Sequence, residues 1–136
     1  MMKGGKDMSD KYNKYDVIFG DFPDVDGSKQ SGYRPAIVMQ NNIGNKFSPT
    51  LIVLPLTKKI KNIEQPTHTV IQKDSDNGLS YDSMLLAEQI TTIDKTKVKK
   101  VGKISNRELQ KSIFKCYIYA AAYGDFDEDL KELQIG

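Results

Sequence analysis

Arg34 and Thr57 are the residues of this chain best suited to phosphate chemistry. Arg34 stands between a Gly/Ser-rich loop, 27–32, and an apolar run, 36–40. A second apolar run, 51–56, ends at Thr57. If both runs are strands, a guanidinium and a hydroxyl sit at strand ends and can face one site. A planar guanidinium grips two phosphate oxygens at once, and a hydroxyl adds a further hydrogen bond. That pairing suits a phosphodiester. On residue type alone each also fits a plainer role: Arg34 could pair with Asp21 or Asp26, and Thr57 could simply end a strand.

Other chemistries are restricted by count. The single cysteine, Cys116, allows no intrachain disulfide, and it falls in a helical apolar pattern that predicts a buried structural thiol. With one histidine, His68, there is no zinc-type Cys/His cluster and no two-histidine ribonuclease mechanism. A Ser-His-Asp triad would have to use His68, which lies in a strand-like segment, 67–71, where a structural role is the simpler reading. No metal or other cofactor is expected.

Charge is unevenly spread. Residues 1–27 carry four Lys and six acids; 28–115 carry fifteen Lys/Arg and seven acids; 116–136 carry one Lys and five acids. A basic centre with an acidic C-terminal tail suits a polyanionic ligand, although a solvated lysine surface with a solubilising tail has the same composition. The tail is expected to lie near the basic centre and to weaken its hold on such a ligand. No apolar run approaches the ~20 residues of a membrane span. The first ten residues are polar, unlike a secretory signal, so a cytoplasmic location without membrane contact is expected.

The elements that must position these groups are short. The pattern predicts strands at 15–22, 36–40, 51–56, 67–72, 83–93 and 101–104, with Pro35 at the start of the second. Turn chemistry separates them at 23–27, 41–45 and 74–78. Residues 94–98 read as a short helix capped by Asp94. Ser105 and Glu108 have capping-box spacing. Leu109, Ile113, Cys116, Tyr117 and Ala120 then recur at helical spacing until a stop near Gly124. About five or six strands at regular spacing, followed by one helix, predict a mainly β (α+β) fold, a small barrel with a C-terminal α-helix.

Several motifs in order resemble the MazF/PemK/Kid toxins, the endoribonuclease half of type II toxin–antitoxin pairs. They are Tyr-Asp-Val-Ile-Phe-Gly-Asp-Phe at 15–22, Gly-Ser-Lys-Gln at 27–30, Gly-Tyr-Arg-Pro at 32–35 and Gln-Asn at 40–41. Gly-Asn at 44–45, Phe-Ser-Pro-Thr at 47–50, Pro-Thr-His at 66–68 and Glu-Gln-Ile-Thr-Thr-Ile-Asp at 88–94 continue the match. The resemblance spans about residues 15–122 and implies an SH3-like barrel of the CcdB/Kid/MazF type. It divides the chain into a disordered leader, 1–13, a toxin domain, 14–124, and an acidic tail, 125–136. It implies a homodimer, a cognate MazE-like antitoxin, and metal-independent cleavage of single-stranded RNA at a short sequence. The products would carry a 2′,3′-cyclic phosphate and a 5′-hydroxyl.

The family's essential arginine and threonine fall on Arg34 and Thr57. Lys29, Gln30, Tyr33, Asn41, Phe47, Lys58, Lys59 and Gln89 are the candidates for contacting RNA: amides and aromatics for the bases, lysines (Lys61 among them) for the backbone. One position departs from the pattern. Lys29 stands where the family usually has Glu, and a protonated amine cannot replace a carboxylate base. Either that Glu is dispensable here, or cutting is weakened, or Lys29 holds a phosphate. A catalytically weakened homologue that binds RNA or antitoxin therefore stays open. So does a non-catalytic toxin that targets gyrase in the CcdB manner, against which the Arg-Pro motif and the strand-end Thr weigh.

Overall fold

In the central strands neighbouring residues are buried together, so polar and apolar side chains do not alternate as they do in a sheet wetted on one side. The computed structural model describes residues 11–22, 32–122 and 131–132. Its strands are β1 (Asp16–Phe22), β2 (Gly32–Val38), β3 (Thr50–Thr57), β4 (His68–Ile71), β5 (Ser83–Leu86), β6 (Thr91–Asp94) and β7 (Val98–Lys103). Val17, Ile37 and Leu54 belong to one core cluster, while their neighbours Ile18, Ala36 and Val53 belong to another. Each strand thus feeds two cores through its pleat.

All seven strands pair antiparallel in one open sheet of order β4-β5-β3-β2-β1-β7, with β6 beside the first half of β3. β3 is the hub. One edge holds β2; the other holds β6 along 50–53 and β5 at 56–57. Pro55 sits where that second edge passes from β6 to β5, so its missing N–H interrupts no ladder there. Pro35 lies inside β2 instead of at its start. The β2–β3 ladder begins only at Ala36, so Pro35 stands where β2 has lost its β3 neighbour.

β6 and β7 lie on opposite edges of the sheet yet are joined by a single 3-10 turn, Lys95–Lys97. Asp94 caps it by accepting the Thr96 N–H at 2.8 Å. Ile93 and Val98, on either side of this turn, pack against the same cluster, which holds the sheet in a curl.

Two helices complete the fold. α1 (Asn42–Phe47) occupies the segment expected to be a turn. Its N-cap Asn41 accepts the Gly44 N–H, and the buried Asn45 donates to the Gln40 carbonyl at 2.9 Å. The Asn side chains thus satisfy the end of a short helix that propensity alone would not form. α2 (Arg107–Ala122) covers the outer core with Ile113 and Cys116. Asn106, not Ser105, supplies its cap, accepting the Leu109 N–H at 2.9 Å. Burial raises the Cys116 thiol pKa, and the charge of Glu88 adds to the effect, as expected for a structural thiol.

The long strand expected at 83–93 is broken by a 3-10 turn, Ala87–Gln89, because β5 and β6 must reach different stretches of β3. The leader's first ten residues, Lys29, Gln30 and most of the acidic tail lie outside the described residues. Among the described residues no helix is long and apolar enough to cross a membrane.

The 74–78 turn lies flush on β7. A Cβ at Gly102 would fall onto the backbone of Asp76 and Asn77, and Gly78 has φ +69° and faces Val101. The Lys103 N–H donates to the Asp76 carbonyl at 2.9 Å across this contact. Gly102→Ala should therefore cost about 1–3 kcal/mol by overpacking. Urea denaturation checks this, and an unchanged midpoint would show that the turn yields freely.

Candidate functional site

The β2–β3 register runs Val38↔Val53, Ile37↔Leu54, Ala36↔Pro55. Arg34 and Thr57 lie beyond the last paired residues of this ladder, at the same end of the two strands. Gly20 of β1 pairs with Arg34 from the other side, and Met84 of β5 pairs with Thr57. Gly20 is tightly packed, since a Cβ there would come within 2.7 Å of Val98 Cγ1. Arg34 and Thr57 both line a groove of about 480 Å³.

The groove gathers side chains from several elements. β1 and β2 contribute Phe19 and Tyr33, the end of β3 and its continuation give Lys58 and Lys59, and β7 gives Lys99. Ser80, Tyr81 and Ser83 come from the segment leading into β5. Arg34 Nε and Nη1 are buried from solvent, and the field of a charge is stronger in such surroundings. Asp26 is outside the described residues.

Thr57 is 9% exposed. Its Oγ1 accepts the Lys59 N–H at 3.1 Å. With a lone pair engaged in this way, its hydroxyl hydrogen remains the group to offer a ligand. Tyr33 stacks on Phe19 at 6.0 Å, and Lys58 Nζ lies 4.8 Å from the centre of the Tyr81 ring.

The remaining sequence candidates lie elsewhere. Gln89 lines an adjoining hollow of about 470 Å³ that shares Thr57 and Lys59 with the groove and also holds Lys61 and His68. His68 is pinned there: Nδ1 meets the Asn62 carbonyl at 2.9 Å and Nε2 meets Glu88 Oε2 at 3.1 Å. Both ring nitrogens are thereby used in joining β4 to its surroundings, a structural role. Asn41 caps α1 and Phe47 is its last residue; α1 connects the ends of β2 and β3 away from the groove, and neither residue lines it.

Sequence reasoning missed Phe19, Ser80, Tyr81, Ser83 and Lys99. Lys99 had a signal in the lysine run 95–103. Tyr81 had none, because its place depends on how the 74–83 segment docks. Among the described residues no group of three His, Cys, Asp or Glu side chains converges as a metal site would require.

The class so defined is a small antiparallel β domain with an open cationic groove at its strand ends. The family of PemK-like, MazF-like toxins of type II toxin–antitoxin systems matches residues 13–112. Endoribonuclease MazF of Staphylococcus saprophyticus is 43% identical over 96 residues, 70% of this chain and 79% of that protein. Endoribonuclease EndoA of Bacillus subtilis is 48% identical over 83 residues, 61% and 71% of the two chains. Among solved structures, a mycobacterial endoribonuclease in complex with its cognate antitoxin superposes with TM-score 0.65 at 19% identity, over 80% of this chain and 93% of that one. MazF of Deinococcus radiodurans gives TM-score 0.62 at 16% identity, over 79% and 93%. The chain belongs to the MazF/PemK toxin family, and its SH3-like fold with a C-terminal helix is the fold of those structures.

Asn77 ties the groove's 79–83 wall to the body of the domain. Its Oδ1 accepts the Asp74 and Leu79 N–H groups at 3.1 and 3.0 Å, and its Nδ2 donates to the Gln72 carbonyl at 2.9 Å. Asn77→Ala leaves these groups without partners and should cost about 2–4 kcal/mol. Hydrogen exchange should show the Leu79 amide opening faster than the amides of β3; equal protection in variant and wild type would contradict this.

Proposed function

We propose that this groove cuts single-stranded RNA with the ribose 2′-hydroxyl as nucleophile. The protein is an endoribonuclease by family, the activity named for relatives at 43% and 48% identity. The observation that supports this mechanism is that Arg34 and Thr57, from different strands, line one groove. The 2′-oxygen forms a bond to phosphorus as the bond to the 5′-oxygen breaks. Solvent water takes the proton of the 2′-hydroxyl and the 5′-oxygen receives one from Arg34, which water reprotonates, so the products are a 2′,3′-cyclic phosphate and a 5′-hydroxyl. No protein nucleophile and no metal enter the scheme.

Arg34 has two tasks in it. Its fork stabilises the pentavalent anion, and its N–H groups can supply the leaving oxygen with a proton. A guanidinium stays protonated near neutral pH, which excludes it as the base. Thr57 donates its hydroxyl to a non-bridging oxygen. Lys58, Lys59 and Lys99 track neighbouring phosphates, and Gln89 reads a base edge from the adjoining hollow.

The family reading also carries the assembly. Residues 14–124 form the toxin domain, which acts in the cytoplasm as a homodimer and is held by a MazE-like antitoxin. Solved relatives support this partner: the mycobacterial endoribonuclease is seen with its cognate antitoxin, and the Deinococcus radiodurans protein as a MazE–MazF complex. A weakened nuclease is the second reading, favoured by Lys29.

Purified protein should cut a long single-stranded RNA into discrete fragments in excess EDTA. Arg34→Ala and Thr57→Val should each lower the rate by about 10²–10³, the effect of removing one oxyanion donor. Intact RNA with wild-type protein would overturn the mechanism. Cutting restored by Lys29→Glu would then identify a weakened nuclease, and gyrase inhibition with RNA intact would identify the CcdB-like alternative.

A further inference from the structure

We infer that Tyr81 is a base-stacking residue that helps select the RNA sequence cut at this site; the inference rests on the endoribonuclease reading of the groove. Tyr81 is 60% exposed, a large aromatic surface to leave in water. It nonetheless lines the groove that holds Arg34 and Thr57. Its backbone is fixed. The Ser83 hydroxyl donates to the Tyr81 carbonyl at 2.9 Å, and the neighbouring Asp82 accepts the Lys73 N–H at 2.9 Å. Upstream, Asn77 and the close contact of Gly78 with Val101 anchor the same segment to the sheet. The ring is therefore presented by an ordered support.

Its surroundings suit a nucleobase. Lys58 Nζ sits 4.8 Å from the ring centre, a cation–π contact that also places a positive charge beside whatever stacks on the ring. Lys58 and Lys59 line the same groove and supply positive charge for the RNA strand's phosphates. Tyr33, from β2, is 69% exposed and backed by Phe19. The groove thus offers two exposed tyrosine rings, from different elements, near the Arg34–Thr57 pair. In-line attack needs the 2′-oxygen, phosphorus and 5′-oxygen held in alignment; a ring that stacks a neighbouring base helps hold them so, and such a stack is worth about 1–3 kcal/mol. Because bases differ in stacking strength, a ring at a fixed distance from the cut also discriminates among them.

The test compares full-length wild type, Tyr81→Ala and Tyr81→Phe, each shown to be folded by its thermal midpoint. A pool of RNAs randomised around one cut site is digested and the products sequenced, and RNA affinity is measured in parallel. Tyr81→Ala should lower kcat/KM about 10–100-fold and flatten the preference at one nucleotide position. Tyr81→Phe should keep both, since the ring and not the hydroxyl makes the contact. If wild type cuts and Tyr81→Ala cuts the same sites at the same rate, this inference is wrong and the nuclease reading stands. If wild type neither cuts nor binds RNA, both fall.

Discussion

The β2–β3 pairing is the contact on which the rest of the molecule depends. Residues 34 and 57 are far apart in sequence and reach one groove only through the ladder that links Ala36–Val38 to Val53–Pro55. A slip of one residue would turn either side chain to the opposite face. The register is held by two cores at once. Ile37 and Leu54 pack against one cluster while Ala36, Val38 and Val53 pack against the other, so a shifted strand would misplace both sets. The buried Gln40–Asn45–Thr50 hydrogen bonds close the far end of the hairpin and hold the same alignment.

The second requirement is a wall opposite β1 and β2. It comes from the segment between β4 and β5, which is neither helix nor strand and would drift without an anchor. Two glycines provide close approach: Gly78 in a left-handed conformation and Gly102 on β7. Asn77 then replaces the missing secondary structure with side-chain hydrogen bonds. On the proposed reading the work is divided: the strands hold the reacting phosphate, and the anchored loop supplies a contacting surface.

Much of this was legible in the sequence. The mainly β fold with a C-terminal helix followed from strand spacing, helical periodicity and the family motifs. Arg34 and Thr57 were legible as types at strand ends, and the motifs fixed attention on them. Their register was not, because both strands are buried on two faces and carry no alternation to read. α1 was missed because its stability lies in Asn caps and not in propensity. The break at Ala87–Gln89 was missed because a continuous run of strand-like residues conceals which stretch of β3 each half will join. Asn41 and Phe47 were attractive by motif, yet α1 carries them to the opposite end of the hairpin. Tyr81 and Lys99 enter the groove only through long-range packing, which no local pattern encodes.

The central claim is that the substrate's own 2′-oxygen attacks the phosphate held between Arg34 and Thr57. Its most direct test is an RNA oligonucleotide containing a cut site, with 2′-deoxyribose placed only at the nucleotide 5′ to the scissile bond. The account predicts that this oligonucleotide binds as tightly as the all-ribose version and is not cut at that bond. Cleavage of the deoxy-substituted bond at the normal rate would mean that water or a protein group is the nucleophile, and would contradict the account.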